Sequence, residues 1–268
     1  MIYDCFTYFN EDLILDLRFN ILFDKVDYFV IIEGNKTHSG KNKKKNFQIE
    51  KFLKFKKKIK YFFIENMPNG NNSWELENFQ RNQIMLGLKK ANKEDLILIS
   101  DCDEIPNLQT ITNTDLKKIK NNIFAFEQKC FYYKLNLLNP RSNPWHGTKL
   151  VRYDFLKKST PQNIRNYKIK QYPFWRIDKP KNAIILKNGG WHFSFLNNIN
   201  NIQLKLKSFA HTEFNKSIYT NEKNLRSRVK NYKDLFDDNI SLKKINLDDS
   251  YPEYIIRNKK KLKNWIVL

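Results

Sequence analysis

Cysteine is scarce. Cys5, Cys102 and Cys130 are scattered, odd in number and without metal-ligand spacing. This excludes a disulfide framework and a cysteine zinc centre, and free thiols in a reducing compartment are expected. Four histidines are few for the ligand-rich centres of metal-dependent phosphoesterases and nucleases, although the acidic residues keep that class open as an alternative. No apolar run approaches the ~20 residues of a membrane span. Met1 to Phe9 lacks the basic start and long apolar stretch of a signal peptide and reads as a strand. A cytoplasmic protein without a signal peptide or transmembrane segment is therefore expected. Repeats are missing, and no linker is long enough to divide the chain. Glycine and alanine are rare while Lys, Asn and Ile abound, as expected when an AT-rich genome biases surface positions.

What is present argues for a globular protein. The 268 residues are 41% apolar and 15% aromatic, enough for a sizeable core. Basic residues outnumber acidic ones 49 to 28, a formal charge of +21. Such an excess points either to an anionic partner or to the compositional bias just described. A nucleic-acid-binding protein is one alternative, carried by this charge and by Lys56, Lys57, Lys58 and Lys60, but no recognised binding module accompanies them.

The most informative stretch is Asp95 to Pro106, Asp-Leu-Ile-Leu-Ile-Ser-Asp-Cys-Asp-Glu-Ile-Pro. Leu96 to Ile99 form an apolar run without alternation, as in a strand buried on both faces. Acids at the carboxyl end of such a strand lie at a sheet's usual binding edge. Asp101 and Asp103, two residues apart, can aim at one point while Cys102 faces away. Two converging carboxylates repel unless a proton or cation separates them, so the pair reads as a Mg²⁺ or Mn²⁺ site. The plainer reading is an acidic turn that caps the following helix.

Around this stretch the pattern is strand and helix in alternation. Ile2 to Phe9, a helix capped by Asn10, and Tyr28 to Glu33 form a βαβ unit with a parallel sheet. Glu33 ends its strand on the same edge as Asp101, either reaching a nucleotide base or ribose or standing as a solvated acid. Lys41, Lys43, Lys44 and Lys45 make a basic loop, solvated or acting as a lure or lid for phosphates. Phe47 to Lys58 reads as helix, and Ile59 to Ile64 as strand. A long helix to about Ala91 starts at an Asn72 to Glu75 capping box. Arg81 shares a face with Trp74 and Glu77, which allows either an intrahelical pair or a diphosphate contact. Lys157 to Lys181, with Trp175, reads as the rim of an acceptor pocket or as core. A short strand at Ile184 to Leu186 leads to Asn-Gly-Gly-Trp-His-Phe-Ser-Phe, where two glycines permit a tight bend or close approach to a ligand. His192 after that bend is a candidate metal ligand. His211 is a second choice, and Glu213 a candidate base. Asn198 to Phe209, Tyr219 to Phe236 and Pro252 to Trp265 read as helical.

The acidic strand end and Gly189-Gly190-Trp191-His192, in this order, resemble glycosyltransferase family 17. So do Tyr3 to Phe6 with Asn10-Glu11, Val26 to Val30 with Glu33, Thr37-His38-Ser39-Gly40, Trp74 to Arg81, and Lys207 to Glu213. The resemblance implies a GT-A type fold, a Rossmann-like α/β/α sandwich with a mixed, mostly parallel central sheet. One domain over residues 1–268 is expected, with a nucleotide-binding half at 1–106, an acceptor-side half at 107–215 and a C-terminal helical extension at 216–268. The resemblance further implies inverting transfer of N-acetylglucosamine from a UDP-sugar, with Mn²⁺ or Mg²⁺ against the diphosphate. On that reading Asp103, with Asp101 and His192, and His211 as second choice, holds the ion. Glu33, Arg81 and Asp101 contact the nucleotide, and Glu104 or Glu213 is the base. The acceptor implied is a glycan, lipopolysaccharide or glycoprotein; animal members carry an N-terminal membrane anchor, and none is expected here. The basic surface would dock on an anionic membrane, and no specific nucleic acid is expected.

Overall fold

The structure is a computed structural model that describes residues 1–70, 72–169 and 183–267. Trp175 and its neighbours at the expected acceptor rim lie outside the described residues. In chain order come β1 (Ile2–Thr7), α1 (Asp12–Leu22), β2 (Tyr28–Gly34), β3 (Ile59–Ile64), α2 (Ser73–Asn82), β4 (Leu96–Asp101), β5 (Glu104–Pro106) and α3 (Asn113–Lys118). They are followed by β6 (Ile123–Tyr132), β7 (Leu137–Leu138), β8 (Lys149–Arg152), α4 (Tyr153–Leu156), α5 (Pro161–Arg165), β9 (Ala183–Ser194) and α6 (Ile199–Ser208). The chain then forms α7 (Ser217–Thr220), α8 (Glu222–Lys230), β10 (Lys243–Lys244) and α9 (Glu253–Arg257).

Among the described residues the strands form one mixed sheet in the order β10-β7-β6-β8-β4-β1-β2-β3, with β9 beside β6 and β5 beside β9. The long ladders, β1 with β2 and β4, β2 with β3, and β6 with β9, are parallel, whereas β8 joins β4 and β6 antiparallel. Alternate residues explain why the sheet is covered on both sides. Phe6, Phe29, Ile31 and Leu98 enter one apolar core with α1 and α9, while Tyr3, Cys5, Val30, Ile32, Ile97 and Ile99 enter the other. This is the Rossmann-like α/β sandwich that the resemblance implies. The chain runs outward from β1 to β2 and β3, then returns to place β4 on the other side of β1. Thr7 and Asp101 are register partners at the carboxyl ends of that divide, so the acidic turn opens at the sheet's switch point.

Several expected elements change type for physical reasons. Ile49–Lys58 is a 3₁₀ segment rather than an α-helix. The segment kinks at Phe52 (φ −129°, ψ 27°), and the buried rings of Phe52 and Phe55 both pack against Phe19 of α1, at 5.3 and 5.1 Å. Asn72 caps α2 by accepting the Glu75 N–H at 3.0 Å, but the α-helix ends at Asn82 and a 3₁₀ stretch, Gln83–Leu88, continues. The α1 N-cap is Glu11 instead of Asn10. The expected bend at Gly189-Gly190 is an irregularity inside the continuous strand β9, where the register on β6 slips between Phe126 and Gln128. Gly190 has φ 137°, and a Cβ there would stand 2.2 Å from the Ile105 carbonyl. The close approach is therefore to the backbone of β5. Among the described residues, no helix is long and apolar enough to cross a membrane.

Candidate active site

A cavity of about 290 Å³ lies where β1 and β4 part. Asp101, Cys102 and Asp103 line it together with Cys130 of β6 and His192 of β9. Thr7 to Phe9 and Glu11, the loop residues Lys36 to His38, the α2 face at Glu77, Gln80 and Arg81, and Lys205 of α6 complete the polar wall. Phe195, Phe209, Phe214 and Phe236 add an aromatic side.

One buried arginine fixes the acidic turn. Arg18 of α1 is fully buried and holds the Asp4 carboxylate through Nε at 2.7 Å and Nη2 at 2.5 Å. Its Nη1 donates to the carbonyls of Asp101, Cys102 and Glu104 at 3.0, 3.0 and 2.8 Å. A buried guanidinium must be paired, and here the pairing shapes the backbone that presents the acids.

Each acid of the turn meets a cation. Asp101 accepts from Arg81 Nη2 at 2.6 Å and from Arg165 Nη2 at 2.9 Å. Burial would raise its pKa, but Arg165 and Arg81 hold it well below the ordinary carboxylate range. Glu104, fully buried, accepts from the same Arg165 nitrogen at 2.6 Å, from Trp145 Nε1 at 2.6 Å and from the Asp101 N–H at 3.0 Å. Gly147 gives Glu104 its space, since a Cβ there would lie 1.9 Å from Oε1. Asp103 lies 2.9 Å from Lys205 Nζ and 3.5 Å from His192 Nε2. Burial is again outweighed, by Lys205 and then His192, and the Asp103 pKa is lowered. His192 packs at a 35° tilt against Trp145 with centroids 4.9 Å apart, and its Nδ1 is 3.6 Å from Cys130 Sγ. Burial opposes charge on this imidazole, yet Cys130 and Asp103 raise its pKa well above the usual range.

The structure thus brings Asp101, Asp103, Glu104, Arg81 and His192 into one network. Arg81 also makes the intrahelical bond to Glu77, at 2.8 Å. Glu33 lies apart: it is buried and takes the Lys43 ammonium, the Asn46 and Phe47 N–H groups at 2.7 and 3.1 Å, and the Tyr61 hydroxyl at 2.8 Å. It thereby folds the basic loop back, and Lys43, not Glu33, lines the cavity. His211 reaches the cavity, packs edge-on against Trp74 at 4.7 Å and bonds Glu213 at 2.7 Å. Glu213 is exposed, and its bond to His211 lowers its pKa.

Among the described residues, no group of three His, Cys, Asp or Glu side chains is disposed to hold a metal ion. Asp103 and Glu11 nevertheless converge on a cation of the chain's own, the Lys205 ammonium, at 2.9 and 3.3 Å. With that ammonium between them, these two carboxylates do not form the oxygen-rich cage of a hard divalent ion.

The sequence profile of glycosyltransferase family 17 matches residues 1–241. The chain belongs to glycosyltransferase family 17. The β-1,4-mannosyl-glycoprotein 4-β-N-acetylglucosaminyltransferases of Homo sapiens, Rattus norvegicus and Mus musculus are each 24% identical to it over 230 residues. The match covers 76% of this chain and 42% of each relative, so the family 17 chain spans less than half the length of these relatives.

In this family 17 chain the residue reading missed Arg18, Trp145, Arg165 and Lys205, and left Glu11 and His38 without a role. His38 had a local signal in Thr37-His38-Ser39-Gly40. Gln80 donates its amide to the Ile32 carbonyl at 3.0 Å, so its oxygen faces His38 Nε2 at 2.9 Å. That pattern assigns the proton to Nε2 and leaves Nδ1 as an acceptor. Burial lowers the His38 pKa, favouring the neutral ring. Glu11 had one as well, in Asn10-Glu11; Arg18, Trp145, Arg165 and Lys205 had none, because their partners are distant in sequence.

Proposed function

We propose that this chain moves N-acetylglucosamine from a UDP-sugar to a hydroxyl of a glycan, lipopolysaccharide or glycoprotein acceptor, with inversion. One observation carries the reading: an acidic floor braced by Arg81, Arg165 and Lys205 lies in the crevice where β1 and β4 diverge. Open α/β sheets take nucleotides at such switch points, and clustered cations suit a diphosphate. Residues 1–106 supply the nucleotide side and residues 107–215 the acceptor side, with 216–268 as an extension that carries short helices and adds β10 to the sheet beside β7. Arg81 and Asp101 form the edge that meets the nucleotide, and Glu33 acts there indirectly by holding Lys43. Asp101, Asp103 and His192, which the resemblance implies as holders of Mn²⁺ or Mg²⁺, are paired with Arg81, Arg165, Lys205 and each other and do not fit that ion as they stand, so on this reading the charge that meets the leaving diphosphate is that of Arg81, Arg165 and Lys205.

In the displacement, a carboxylate takes the proton of the acceptor hydroxyl while its oxygen bonds to the anomeric carbon and the bond to the diphosphate breaks. Glu213, exposed and bonded to the cavity-lining His211 at 2.7 Å, is the base on this reading. Glu104, buried beneath Asp101, positions Arg165 and Trp145.

A panel of UDP-sugars with Mn²⁺ and saccharide acceptors, scored for UDP release, tests the proposal. UDP-N-acetylglucosamine should give the highest rate, and Asp103→Asn should lower it on the order of a hundredfold. Absence of UDP release from every donor overturns the reading.

A further inference from the structure

A row of aromatic rings leads out of the cavity, and the transfer chemistry gives it no role. It starts at Phe195, 6% exposed, whose ring lies 5.7 Å from the Lys205 ammonium beside the acidic floor. Ring centroids then follow at 6.0 Å to Phe236, 4.1 Å to Phe214, 5.9 Å to His211 and 4.7 Å to Trp74. The first four rings line the cavity, and Trp74 stands at the outer end, 44% exposed. It is the one exposed tryptophan among the described residues. Trp74 reaches this place because it lies one turn before Glu77, on the α2 face that lines the cavity with Glu77 and Arg81. A lone exposed apolar side chain needs no explanation, but this one continues a row of rings into the site.

The row combines two kinds of group. Its ring faces are apolar and electron-rich, and carboxylates stand along it: Glu213 bonds His211 Nδ1 at 2.7 Å, and Glu77 follows Trp74 by one turn. A lipid tail would bring no group for these acids. A saccharide uses both, because a pyranose presents C–H groups on its face and hydroxyls at its edge. We propose that this row is the acceptor subsite and that it takes a saccharide of at least two rings. The ring whose hydroxyl meets Glu213 covers His211 and Phe214, and the next ring outward covers Trp74. The proposal rests on the sugar-transfer reading above and adds to it the length of the acceptor. A monosaccharide leaves Trp74 uncovered, so a disaccharide is the better acceptor.

Acceptor kinetics on the full chain test this, with the methyl glycosides of glucose, galactose and mannose set against cellobiose, lactose and mannobiose at saturating UDP-N-acetylglucosamine. For the sugar type that accepts, the disaccharide should exceed the monosaccharide in kcat/KM at least severalfold, mainly through KM. Trp74→Ala should cut that ratio roughly tenfold, the order expected when a stacked ring is removed, whereas Trp74→Phe should keep most of it. A merely structural role for Trp74 would slow both acceptors alike and leave the ratio where it was. A second measurement needs no turnover. With UDP bound, the same disaccharide panel should change the tryptophan fluorescence of the unmodified protein, and Trp74→Phe should lose most of that change. A ratio unmoved by Trp74→Ala, or a monosaccharide that accepts as well as its disaccharide, overturns the subsite while leaving sugar transfer standing. UDP release from a donor with neither transfer to the panel nor a fluorescence change overturns it as well. If no donor releases UDP, the transferase reading falls, and the fluorescence change alone decides whether the row binds a saccharide.

Discussion

Asp101 and Asp103 are two residues apart yet occupy different electrostatic settings. Asp101 is shared by two guanidinium groups, and Asp103 by an ammonium and an imidazole. The same contrast separates Glu104 from Glu213. Every oxygen of Glu104 is engaged inside the protein, so removing its charge leaves Arg165 and Trp145 imperfectly paired. Glu104→Gln should therefore cost stability, about 2 to 4 kcal/mol in urea unfolding, along with activity. Glu213 is exposed and bonded to one side chain of its own turn. Glu213→Gln should leave stability within about 0.5 kcal/mol and lower kcat on the order of a hundredfold. A near-normal kcat in Glu213→Gln would remove it as the base.

At the scale of elements, α1 and β9 do more for the site than their sequence patterns indicate. The α1 stripe of Ile14, Leu17 and Ile21 faces the core, but Arg18 beside it is buried as well and reaches the backbone of the acidic turn. In β9, Gly190 pairs with Pro106 and His192 with Glu104 on one side, while on the other Gly190 pairs with Gln128 and His192 with Cys130. The register that delivers His192 to Asp103 thus passes through a residue at φ 137° that touches backbone. Gly190→Ala combines backbone strain with a steric clash and should destabilise by roughly 2 kcal/mol or more in urea unfolding. Stability unchanged by that substitution would show that the close approach of β5 can relax freely.

For the whole molecule, the charge of +21 is partly absorbed by the fold. Lys58 donates to the carbonyls of Phe23 and Val26 at 2.6 and 2.9 Å, and Lys60 covers the Tyr28 ring at 3.7 Å. Two members of the basic run noted in the sequence therefore serve structure. Lys54, Lys56 and Lys57 remain exposed next to Leu53, itself 62% exposed. Lys259, Lys260, Lys261 and Lys263 are exposed on the C-terminal segment, which packs on the same core through Ile255 and Leu262. These exposed lysines, with a protruding leucine, are the residues on which the expected docking to an anionic membrane can be tested. The protein should sediment with anionic vesicles and not with zwitterionic ones, and the bound fraction should fall at least severalfold between 0.1 and 0.5 M salt, about where screening shortens below the contact range. No sedimentation at 0.1 M salt would remove the membrane from the proposal.

The strand and helix order was readable from the chain because it depends on neighbours. Leu96 to Ile99 are apolar without a break, Asn72 caps its own helix, and Phe29 to Gly34 carries one uninterrupted buried run. Position at the sheet's edge then followed for Asp101 and Asp103. What those acids face did not follow: Arg165, Trp145 and Lys205 come from elements far along the chain, and Glu33 turns to Lys43, Asn46, Phe47 and Tyr61. Local periodicity and capping are written in residues a few places apart. Partnership between charges is set by which strands lie side by side, and that was decided when β4 returned across β1 and β9 threaded between β5 and β6.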